Sequence, residues 1–429
     1  MAGIRAGALL LVILFSVRVA VSQDRIIVEH ADRLVGTMIN GQEARKLVGH
    51  VRIIHGEVRV WCDSAIQFLR TGKVQLEGNV VVRDDSVTLK APRGLYDQRM
   101  RKAEGRDGVV MEDGSVFLSA REGEYFIDEE RAFFRREVLV RELASTILSD
   151  SLTYFRAEKR SVAEGDVRVF DAAQDLMITG SHLDHRTEEG YSRMTGAPFL
   201  VQVDSTVAGP PDTLIVRSRV MESFRLGERK LVAIDSVRIV RRDLSALAGL
   251  ATFFPEGDSI LLRADPVVWY DQTQVTGDSI NVSMENNQLD HVDVIGTAFG
   301  ISRTDSLQYV RYDQLSGDVM ILSFADRRLN NVTVRRRATS VYHLFEDSLA
   351  NGLNKASGDM IVMGFDSGKV ASITVVGGVE GEYVPENILF SNEDRYRLPG
   401  FVWRGDRPFM TPRDVLAIRH ARMEQEQDR

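Results

Sequence analysis

Between residues 49 and 185 apolar side chains fall on alternate positions, and the pattern restarts five times, at Gly49 (GHVRI), Gly78 (GNVVV), Gly108 (GVVME), Arg136 (REVLV) and Gly165 (GDVRV). The offsets are 29, 30, 28 and 29 residues. Side chains two apart on a strand share a face, so each copy predicts short strands buried on one side only. A period near 29 predicts a solenoid-like stack whose units bury their apolar faces on one another.

The predicted inward stripe is Val51, Ile53, Val58 and Val60 in the first copy and Val80, Val82, Val87 and Leu89 in the second. Val109, Met111, Val116 and Leu118 continue it in the third, Val138 and Val140 in the fourth, and Val167, Val169, Leu176 and Ile178 in the fifth. A small residue closes each second strand: Cys62, Ala91, Ala120, Ser149 and Gly180. Small side chains there predict a tight bend against a neighbouring coil. Tyr96, Tyr125 and Tyr154 follow five residues after the small position of their copies.

Beyond His185 the spacing loosens. Ile260, Leu262 and Ala264, with Trp269 after them, restore half of the motif, and DHVDVI (290–295), NNVTV (330–334) and ASITVV (371–376) recur at offsets near forty, which predicts an added hairpin or longer turn per copy. DSTVAGPPD (204–212) holds the only Pro-Pro and predicts an insertion loop or seam. The expected organisation is a segment 1–22, a first repeat region over 23–203, the seam at 204–212, a longer-period β-region over 213–395, and a Pro- and charge-rich tail over 396–429, partly ordered at best.

The first 22 residues change the compartment. Arg5, the apolar run Ala6 to Val17 and the small residues Ala20 and Ser22 fit a cleaved secretory signal, too short to span a bilayer. No cysteine follows the run, as a lipid-anchored lipoprotein would need. Without Arg5 and Arg18 the chain has 52 basic against 62 acidic side chains, a formal charge of −10, which gives no basis for a nucleic-acid partner. Cys62 is the only cysteine, so no internal disulfide is possible and a core role is the simplest reading.

Candidate chemistry is sparse. His182, Asp184 and His185 share one short stretch, but no further ligand set accompanies them, and no metal or other cofactor is expected. No P-loop, His-Glu-x-x-His or nucleophile elbow is present. Arg335, Arg336 and Arg337, with Arg327 and Arg328 on the other side of a strand, could meet phosphates at the rim of an apolar trough, or serve as solvated edge charges. Asp63, Asp150 and Asp265 share one motif position, as acidic residues on the outer face of a polysaccharide-acting β-helix enzyme do.

The unit Gly-x-Val-x-Val, polar turn, alternating strand, small residue and following aromatic resembles the OstA-like family of periplasmic lipopolysaccharide-transport proteins, which includes the bridge protein LptA and the N-terminal domain of the translocon LptD. The likeness is strongest over about 26–190, and Gly377-Gly378-Val379-Glu380-Gly381-Glu382-Tyr383 extends it. The resemblance implies an all-β jellyroll of stacked antiparallel strands, no enzymatic activity, and an interior that holds lipid A acyl chains. It also implies a place in the periplasm or against the outer membrane, and end-to-end joining with itself or other jellyrolls of the transport bridge. A trough and a closed dry core share this pattern, and an exported polysaccharide-acting enzyme or a ligand-free structural solenoid are the competing readings.

Overall fold

Strands dominate because β-branched residues alternate with polar ones and turn chemistry recurs at short intervals. The computed structural model describes residues 25–414, apart from 115, 143–144, 172–175, 205–211, 243, 286–287, 305–310, 347–348, 391 and 412–413. The expected signal segment lies outside the described residues. Among the described residues twenty-eight strands form one antiparallel sheet. No described helix is long and apolar enough to cross a membrane.

From Gln42–His55 to Leu176–Arg186 the chain is a meander in which each strand pairs with the next along nearly its whole length. Every pairing slips once, near its middle. In Lys73–Asp84, Gly78 and Asn79 both have positive φ, and the register with Val87–Asp97 jumps between Glu77 and Val80. The same break falls at Gly49-His50, Asp107-Gly108 and Arg136-Glu137. Such bulges bend a strand. Each strand is therefore folded at a corner, and its two halves belong to two facing walls.

The five-residue step from small residue to tyrosine follows from this bend. Strict alternation cannot put residues an odd number apart on one face. Across the corner of Val87–Asp97 the inward set changes from Val87, Leu89 and Ala91 to Tyr96, and all four are buried. The two walls enclose one apolar cluster that continues from Leu47 to Met363.

Beyond Arg186 some positions are filled by two short strands in place of one bent one. Tyr191–Thr195 and Phe199–Asp204 both pair with Leu176–Arg186. Asp212–Arg217 pairs with Phe199–Asp204, and residues 205–211 of the expected loop or seam lie outside the described residues. The period near forty, expected to carry an added hairpin or longer turn per copy, comes in 288–366 from longer strands: Gln288–Arg303, Tyr312–Ala325, Arg328–Glu346 and Leu349–Asp366. Lengthening a bent strand preserves the corner and widens both walls.

The described residues of 386–411 hold no strand and run back along the outside of one wall. Leu389 and Leu398 are buried with Phe299, Ile301, Val341 and Leu353. The Gln274 side chain donates to the Val402 carbonyl at 2.7 Å and accepts from the Arg404 amide at 2.7 Å. Buried Arg311 binds Glu386 at 2.6 Å and Glu393 at 2.8 Å, fixing where this strap begins. Asp414 pairs with Arg217 further along the wall.

The corners predict a sharp difference between two glycines. At Gly78 a Cβ meets positive φ and collides with the Asp63 carboxylate, whereas Gly36 has open space. Gly78→Ala should lower unfolding free energy by about 1–3 kcal/mol, with Gly36→Ala within about 0.5 kcal/mol of wild type, measured by urea denaturation.

Candidate functional site

The interior between the walls is the candidate site, and its accessibility depends on the edges farthest from the corner. Those edges are bridged by polar rungs. Tyr125 donates to Asp84 at 3.0 Å and Tyr154 to Asp113 at 2.9 Å, while Tyr96 and His55 share a hydrogen bond of 2.6 Å and His185 donates to Glu142 at 3.1 Å. The first members, residues 55, 84, 113 and 142, repeat every 29 positions and sit at or next to the ends of strands in one wall. Their partners close the other wall three strands later. Lys159 adds a bond to Asp113 at 3.0 Å, and Arg156 reaches Asp85 at 2.8 Å.

Electrostatics favour the latched state. Burial raises the Asp113 carboxyl, but the Lys159 ammonium and the Ser86 and Tyr154 hydroxyls outweigh it and hold the group below its ordinary 3.8. Burial likewise opposes ionisation of Glu142, and hydrogen bonds from His185 and Thr187 bring it below 4.5. Burial and then Asp113 push Tyr154 up, so it stays a donor.

The stripe residues occupy two environments. Val51, Ile53, Val58, Val60, Val80, Val82, Val87, Leu89, Val109, Met111, Leu118, Val138, Val140 and Val167 are buried in the central cluster. Val116, Val169, Leu176 and Ile178 are partly buried and pack against it. The last three line a cavity of about 70 Å³ between the walls.

That cavity lies where the rung pattern changes. Asp171 is the next residue in the 29-step series. The row carrying the tyrosines runs by direct strand pairing from Tyr154 through Ser161, His185 and Ser192 to Ser223. Serine cannot span the gap that tyrosine and histidine span. Arg225 instead reaches Asp171 at 3.4 Å from the rim.

Other candidates are placed elsewhere. Arg336 and Arg337 have positive φ at a corner, on the far side of the wall from the rungs, Arg337 pairs with Asp318, and Arg335 is exposed beside them. Alternation puts His185 on the opposite face from His182 and Asp184: Asp184 pairs with Arg160 at 2.9 Å, whereas buried His185 faces Glu142. Among the described residues no group of three or more His, Cys, Asp or Glu is arranged to hold a metal. Asp63 accepts from Asn79 at 2.9 Å and Asp150 from the Asp166 amide at 3.1 Å, so both brace corner turns; Asp265 itself adopts positive φ. Sequence reading missed the rungs, although tyrosines at 96, 125 and 154 and acids at 84, 113, 142 and 171 keep the same 29-residue step.

A family model described as "OstA-like protein" matches residues 23–179. Over these residues the chain is similar to OstA-like proteins. The match holds the first four rungs' acidic or histidine members and ends beside the cavity. Among solved structures, LptH, the LptA-homologous periplasmic component of the lipopolysaccharide transport device from Pseudomonas aeruginosa, is 14% identical, with 33% of this chain and 95% of that chain covered at a TM-score of 0.26. No curated protein matches the chain.

Latching predicts acid sensitivity. Asp113 and Glu142 ionise more readily folded than unfolded, so their stabilisation is complete above about pH 5 and is lost as pH falls through their lowered folded values. Tyr154→Phe leaves Asp113 short of a donor and should cost about 1–3 kcal/mol at pH 7, with a shallower loss of stability between pH 5 and pH 3 than wild type, read from urea midpoints.

Proposed function

We propose that this chain is a non-enzymatic periplasmic binding and bridging protein of lipopolysaccharide transport to the outer membrane, which holds lipid A acyl chains between its two walls. The observation that carries this reading is one apolar interior, continuous from Leu47 to Met363, in a chain whose residues 23–179 are similar to OstA-like proteins. A stacked solenoid buries such a core for stability alone, so the interior supports lipid holding through the chemistry of its lining. Acyl chains need only apolar lining and length, because hydrophobic contact is non-directional.

Joining to other jellyrolls completes the proposal. At one end Ile27–His30 and Arg33–Ile39 both pair with Gln42–His55, and at the other Lys369–Val376 and Glu380–Pro385 both pair with Leu349–Asp366. Among the described residues each end leaves an unpaired edge, with Leu34, Met38, Val379 and Tyr383 exposed. Open edges are templates for strand addition. A partner would be another jellyroll of the transport bridge or a second copy.

Two experiments test this. A photo-crosslinking residue at Val82, Leu118 or Ile178 should give lipopolysaccharide adducts in cells, and one at Arg83 or Thr88 none; absence of adducts from every inward position rejects lipid holding in favour of a ligand-free solenoid. For joining, Leu34→Cys with Val379→Cys should trap disulfide-linked multimers. Native Cys62 will not interfere, since burial pushes its thiol up to about 11. Monomers alone, with no crosslink to another periplasmic jellyroll protein, would reject it.

A further inference from the structure

The interruption of the rungs at Ser223 is a local event with a chemistry of its own. We infer that the cavity beside it is a lateral port that binds an amphiphile by the end of one alkyl chain and by an anionic head group. The inference goes further than the transport reading, which names no entry point, and it rests on that reading only for the identity of the natural lipid.

The cavity is apolar within: Ile147, Val169, Ile178, Leu183, Met194 and Met221 come from both walls. At about 70 Å³ it is a small recess, of a size that suits a chain end. An apolar recess of that kind gains from a methyl terminus and nothing from a polar ligand.

The rim selects charge. Arg225, Arg229 and Lys230 reach it from one turn. The carboxylates facing them are already engaged: Asp171 by Arg225, Glu142 by His185, and Glu222 by the Tyr191 hydroxyl at 3.0 Å and by Arg193 at 3.8 Å. Lys230 is 3.7 Å from exposed Glu228, and Arg229 is exposed with no ion pair among the described residues. The uncommitted charge is positive, and a guanidinium beside an ammonium suits a phosphate or carboxylate. Leu226, 62% exposed on the same turn, adds apolar surface outside the opening.

Elsewhere along the first region tyrosine or histidine crosses the mouth at each rung. Here the connection is an Arg225–Asp171 pair on the rim, part-exposed and thus cheap to exchange for a ligand anion. Binding of the head group would exchange the Arg225–Asp171 pair and loosen a rung that no tyrosine or histidine crosses.

Titration of the full chain with dodecyl phosphate below its micellar concentration tests the port calorimetrically. Wild type should bind at one saturable site, Arg229→Glu roughly tenfold more weakly as a charge-assisted contact becomes a repulsion, and Arg83→Glu as wild type. Ser223→Tyr, which rebuilds the rung, should abolish binding while the protein stays folded by circular dichroism. Equal affinity for uncharged dodecyl maltoside, equal affinity of Arg229→Glu, or binding of inorganic phosphate alone at the same strength overturns the proposal. Lipopolysaccharide adducts at Leu118 without dodecyl phosphate binding would reject the port and leave the transport reading intact; the reverse result would reject transport and keep the port.

Discussion

The corner in each long strand is the constraint on which the rest depends. Two backbone residues with positive φ, such as Gly78 and Asn79, place two positions opposite one and turn the strand back over itself. Without that bend the alternating pattern would make a flat sheet with one greasy face. With it, one strand contributes to both walls, and pairing along the stack aligns the corners into a ridge. The aspartates braced there, Asp63 and Asp150 among them, hold the turns, which explains why an acidic residue recurs at that position without forming a catalytic cluster.

A corner on one side leaves a mouth on the other. Closing it by apolar contact alone would make the interior an ordinary sealed core. Here the closure is polar: tyrosines and a histidine reach across to strand-end acids or to His55. A buried hydrogen bond is modest in net worth but costly to break on one side only. Such rungs hold the walls in register. The strap from Glu386 onward stiffens the outer face of one wall in the later region, where the strands are longest.

Much of this was legible in the chain. The alternation, the 29-residue step and the small residues before each bend follow from the geometry of a half-buried strand, so the inward stripe could be named residue by residue. The five-residue gap from Ala91 to Tyr96 even recorded the change of face, though alternation alone gives no reason to read it as a corner. The rungs were not legible, because Asp84 and Tyr125 are 41 residues apart and nothing local links them. Nor was the rim at Arg225–Lys230, which depends on a row of paired residues passing through two strands split from one.

The sequence by itself determined an all-β stack with an apolar stripe, because period and alternation are local properties that any antiparallel pairing must respect. Tertiary structure decided which way that stripe faces, how its mouth is held and where it is interrupted. Those features depend on which strand ends meet across the interior, and side-chain reach across a gap, tyrosine against serine, has no signature until the two walls are set opposite each other.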